Sequence, residues 1–172
     1  MKLCWSAAIA AACVGAFAWP PDAAAQARLD DSTSPRAQVQ SLQILSERGR
    51  RLDAPSPDAA PQYAIARFGE VEYRLATAPY IGRQARIYYV IPAIIPGLRQ
   101  PSSLKVEWRS AGQFASGSAH GGERRLVWSG VVRQPFMVER LDLTMQFRLA
   151  DVTARPDAGL SFESYFEIEV TP

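Results

Sequence analysis

The chain has 172 residues, 48% of them hydrophobic, and 19 Lys and Arg against 17 Asp and Glu leave a net charge of +2. Its arginines are interleaved with acids rather than gathered on one face, which excludes the concentrated basic surface of a nucleic-acid binder. One histidine and two cysteines, Cys4 and Cys13, leave no His/Cys set for zinc or copper, and no D-x-D-x-D-G loop supplies oxygens for calcium. No cofactor and no metal site is expected.

Residues 1–25 have the form of a cleaved signal peptide. Lys2 is a minimal basic start, Leu3 to Trp19 is small and apolar, and Ala23-Ala24-Ala25 or Ala25-Gln26-Ala27 offers a small-x-small cleavage site. An uncleaved anchor is the weaker reading, because an alanine-rich run of roughly 17 residues falls short of the about 20 strongly apolar residues that a span needs. Ala10-Ala11-Ala12 before Cys13 only loosely echoes a lipoprotein box. The expected location is therefore the periplasm or the exterior, with no stable membrane span after cleavage. Both cysteines leave with the leader, so the mature chain carries no disulfide. Lysine occurs only at 2 and 105, asparagine not at all, and arginine abounds; that bias suits a GC-rich bacterial genome.

Residues 26–61 read as a linker-like segment. Asp30-Asp31-Ser32-Thr33-Ser34-Pro35 and Ala54-Pro55-Ser56-Pro57 hold few large apolar groups to offset ordering. Between them, Ser34 as N-cap, Pro35 at the first helical position and Gly49 as terminator predict a short helix over 35–48. The alternative is an edge strand through Val39 to Leu45.

From Gln62 to Pro172 the period changes to two. Val71 to Leu75 alternates; Ala85 to Ile91 is nearly continuous in apolar residues, which predicts a central strand; Leu104 to Arg109 alternates without exception. Gln113 to Ser118 is a weaker strand, and Ala119 to Glu123 is a hairpin turn into Arg124–Val132. The clearest pattern is Arg140 to Leu149, with Leu141, Leu143, Met145, Phe147 and Leu149 on one side and Arg140, Asp142, Thr144, Gln146 and Arg148 on the other. Leu160 to Val170 repeats it and is expected to pair with it. Seven or eight strands spaced by turns favour an all-β, antiparallel, immunoglobulin-like sandwich over 62–172. Trp108 on a mid-domain strand resembles the buried tryptophan of such sandwiches, without their cysteine pair.

Chemistry-bearing constellations are thin. Ser116, Ser118 and His120 form S-x-S-x-H, but only Glu123 lies near to orient a base, and a polar turn explains them as well. Glu163, Glu167 and Glu169 read as a solvated strand face. No catalytic residue is assigned and no enzyme activity is expected. The candidate binding residues are Ile94, Ile95, Leu98 and Arg99, in an apolar loop whose Pro92 and Pro96 bar an ordinary central strand. Either the loop tucks its isoleucines into the core, or it is exposed and docks on a partner. The reading that follows is an exported, non-enzymatic β-sandwich that binds an envelope protein or surface polymer. The alternative is a carrier of a small apolar ligand, with Tyr88, Trp108 and Trp128 lining a cavity; a hydrolase of unknown type comes third.

Overall fold

The computed structural model describes residues 26–35, 37, 39–46, 48–52, 62–153 and 163–171. The leader expected at 1–25 lies outside them. Among the described residues ten strands alternate with turns: β1 (Gln26–Arg28), β2 (Ser41–Ser46), β3 (Arg51–Leu52), β4 (Gln62–Ala76), β5 (Gln84–Val90), β6 (Lys105–Ser110), β7 (Gly117–His120), β8 (Arg124–Val131), β9 (Phe136–Arg148) and β10 (Tyr165–Val170). They form two antiparallel sheets, one ordered β1-β10-β5-β8 and the other β3-β2-β4-β9-β6-β7. The protein is all-β and sandwich-like.

β9 carries the alternation seen in its sequence. Leu141, Leu143, Met145 and Phe147 are buried, while Arg140, Asp142 and Arg148 are exposed. Its long partner β4 matches it over thirteen registered pairs, Tyr63↔Arg148 to Ala76↔Phe136. Between Arg67 and Gly69 the register shifts. Gly69 takes a φ of +67° there, a conformation that residues with a Cβ rarely adopt, so the bulge favours glycine. In the other sheet β5 is central, with Ala85, Ile87 and Tyr89 fully buried.

The space between the sheets is filled by aromatic rings. Phe166 lies 5.0 Å from Tyr73, 4.8 Å from Tyr89 and 5.7 Å from Phe114 between ring centres. Trp108 stands edge-on to Tyr89 at 5.0 Å and donates its indole N–H to the Ala115 carbonyl at 2.9 Å. These offset and T-shaped pairs add to the area they bury.

Four expectations need correction. No helix forms over the described part of 35–48; the segment runs as β2, the edge-strand alternative, and pairs with β4 from Ser41↔Arg67 to Ser46↔Gln62. A short isolated helix is marginal in water, whereas β4 offers a row of unpaired backbone groups. The zone 26–61 is accordingly not a linker in its described parts: β1 pairs with β10, and Leu29 is only 2% exposed. Third, β9 and β10 do not pair. Each lies in a different sheet, because β10 is claimed by β1 and β5. Fourth, the turn at Gly121-Gly122 is not a hairpin but a crossing between sheets, since β7 pairs with β6 and β8 with β5. Gly121 sits against the Pro101 carbonyl, where a Cβ has no room.

Candidate functional site

The residues singled out by sequence are dispersed. His120 is exposed, with Nδ1 3.1 Å from the Ser102 carbonyl, and its backbone N–H donates to the Glu123 carboxylate at 3.0 Å. Ser116 Oγ instead accepts the Ser110 N–H at 3.0 Å. Ser116, engaged by that backbone N–H, is thus not paired with His120. Glu167 and Glu169 flank Arg124, whose guanidinium lies 3.8 Å from the centre of the Tyr88 ring. That is a charge-balanced outer face.

The proline loop divides. Ile95 is 3% and Leu98 7% exposed, both within the core, while Ile94 is 83% exposed and Arg99 is also outside. The loop is tied down by Arg99 N–H to the Asp151 carbonyl at 2.7 Å and Thr153 N–H to the Gly97 carbonyl at 2.8 Å. The four residues therefore do not form one docking patch; a single exposed isoleucine is ordinary surface. Tyr88, Trp108 and Trp128 do not share a cavity either. Tyr88 lies under Arg124 on an outer face, Trp108 is inside, and Trp128 is half-buried at the sandwich margin.

Two further polar groupings are structural. Tyr89 Oη lies 2.7 Å from Ser164 Oγ and 3.3 Å from Tyr73 Oη. Burial pushes both phenols above their ordinary value, so neither can take a proton from Ser164 near neutrality. The cluster ties β4 to the opposite sheet. Across the outer face of β4, β9 and β6, a recess of about 360 Å³ is lined by Arg67, Lys105, Arg109, Glu107 and Asp142, among others. Cations and acids alternate there, and Lys105 pairs with Glu107. Such mixed charge is a solvated face.

The feature that stands apart is the start of β9. Here the polarity of the strand inverts. Phe136 and Val138, on the outward side, are 50% and 54% exposed, while the inward Glu139 is 2% exposed. The Glu139 carboxylate accepts the Gln113 N–H at 2.6 Å and the Ser110 hydroxyl at 3.0 Å. Gly112 packs on it with no room for a Cβ. This anchors the turn 110–113 and ends β6, which pairs with β9 only from Leu141 to Gln146. Consequently residues 136–139 have a neighbour on the β4 side alone among the described strands. The Arg140 carbonyl accepts from Ala111 N–H at 3.1 Å and so points away from β4, whereas the Pro135 carbonyl accepts from Thr77 N–H at 2.8 Å and points toward it. By the alternation of an antiparallel ladder, the N–H and C=O of Phe136 and Val138 point outward.

Along this open edge runs a groove of about 500 Å³ lined by Gln113, Trp128, Val131, Arg133, Gln134, Phe136, Met137 and Val138. Val131 is 44% exposed and Trp128 half-buried. No acid lines it, and Arg133 has no ion-pair partner among the described residues. Of these residues sequence reading had singled out only Trp128, as a cavity residue. The signal was there: in FMVERLDL Phe136 and Val138 fall on the parity that is polar from Arg140 onward, and Glu139 falls on the apolar one. No protein-family model, curated protein or solved structure matches the chain.

Proposed function

We propose that the chain is an exported, non-enzymatic binding module, an immunoglobulin-like sandwich of the bacterial envelope that holds another polypeptide. One observation carries this reading. An unpaired strand edge with exposed apolar side chains is a liability that proteins normally blunt with charge, proline or a covering loop. Here, among the described residues, the edge is left open beside a groove in which Trp128, Val131, Phe136, Met137 and Val138 lie among the polar Gln113, Arg133 and Gln134, and exposed apolar side chains clustered beside polar ones mark an interaction site. Export is supported by the leader-like residues 1–25, and among the described residues no helix is long and apolar enough to cross a membrane. The case against an enzyme is chemical: Ser164 faces phenols rather than a base, and Ser116 accepts a backbone N–H instead of pairing with His120.

The test is site-specific photo-crosslinking in intact cells of the native host. A photoreactive residue at Val138 should give discrete envelope adducts that one at Ser129, exposed elsewhere, does not. Equal or absent adducts at the two positions would remove the binding reading at this edge.

A further inference from the structure

We infer that the open edge of β9 takes the extended, apolar C-terminal tail of a partner polypeptide, added antiparallel, with its terminal carboxylate at Arg133. This rests on the binding reading above and names the partner's chemistry. The free stretch, Phe136 to Glu139, spans about 13 Å at roughly 3.3 Å per residue, so it accommodates a strand of about four residues. Phe136 and Val138 can each exchange an N–H and a C=O with it. Incoming side chains on one face would lie over Phe136 and Val138; those on the other would enter the recess beside Met137 and Trp128. Each face offers apolar anchors, Phe136 and Val138 on one and Met137 and Trp128, beside Gln113 and Gln134, on the other, so the tail should carry apolar side chains on both sides.

Direction follows from charge. An antiparallel strand runs its C-terminus toward the N-terminal end of β9, where Arg133 stands without a counter-ion among the described residues, in a groove that no acid among them lines. A carboxylate arriving there gains a charge-assisted hydrogen bond. A second copy of this chain fits less well. Pairing Phe136 with Val138 of a copy would set Gln134 opposite the copy's Arg140, bringing Arg133 beside that cation, and like charges across strands are destabilising.

The probe is the peptide acetyl-Ser-Lys-Val-Ile-Val-Leu with a free C-terminal carboxylate, titrated into the protein and followed by amide NMR shifts. Phe136, Val138, Gln113 and the Trp128 indole should shift together. The amidated twin should bind weaker by at least about fivefold, the scale of one charge-assisted bond. Arg133→Gln should erase that preference while leaving the thermal transition in place. Val138→Pro, which removes an outward N–H, should abolish binding of both peptides; Val138→Lys is the second variant if the proline fails to fold. No shift at about 1 mM peptide, or equal affinity for acid and amide, overturns the inference. So does a concentration-dependent dimer that Val138→Lys dissolves. Crosslinks at Val138 without a carboxylate preference would sink only this inference; loss of those crosslinks would sink the binding reading beneath it.

Discussion

Leu29 is the sharpest test of whether the N-terminal segment belongs to the sandwich. It is 2% exposed, and its N–H donates to the Phe166 carbonyl at 2.8 Å in the four-stranded sheet. The next residue, Asp30, accepts from Ala76 N–H at 2.9 Å, and Ser34 Oγ accepts from Arg74 N–H at 2.8 Å, both on β4 of the other sheet. The segment thus stitches the two sheets along one side, and Leu29 plugs the gap between them. Leu29→Ala removes a buried side chain at a place held from both sheets, where collapse is limited, so roughly 3–5 kcal/mol should be lost. Against a typical domain stability of about 5–15 kcal/mol, that is a large fraction, and at about 2–4 °C per kcal/mol it lowers Tm by roughly 6–20 °C. Leu42→Ala is the control, because Leu42 is 59% exposed on β2; it should stay within about 0.5 kcal/mol. Urea and thermal melts of the protein, followed by circular dichroism, measure both. If Leu29→Ala proved as neutral as Leu42→Ala, residues 26–35 would be a tether after all, and deleting 26–52 would leave the cooperative transition intact.

Phe147→Ala should cost roughly 3–5 kcal/mol in the same melts, while Arg148→Ala stays within about 0.5 kcal/mol; reversed costs would mean that β9 is out of register by one residue. In the proline loop, Ile95→Ala should lose roughly 2–5 kcal/mol and Ile94→Ala almost nothing. Equal losses would contradict the division of that loop. Burial raises the Asp31 carboxyl above its ordinary value, with Arg28 opposing. Its folded state therefore favours the proton, and stability is lost as pH rises through the raised value. Asp31→Asn should match the parent below pH of about 4 and become the more stable protein toward neutrality. A difference that stayed constant with pH would refute this.

Much of the fold was legible because a strand with one wet face writes its period into the chain. Leu141, Leu143, Met145 and Phe147, or Leu104, Val106 and Trp108, announce their facing without any knowledge of neighbours. Partner choice is not written that way. Nothing in β10 says that it joins β5 rather than β9, and nothing in Ser41–Ser46 says that an open edge of β4 awaits it; backbone hydrogen bonds carry no side-chain code, so pairing was decided by the assembled sheets. The groove at the edge of β9 shows both halves at once. Its inverted polarity, with Phe136 and Val138 outward and Glu139 inward, stands in the sequence. That the inversion leaves an edge open depends on Glu139 gripping Gln113 and Ser110 and stopping β6 at residue 110. A contact between residues 26 positions apart, costly to leave unmade once the carboxylate is buried, exists only in the folded molecule.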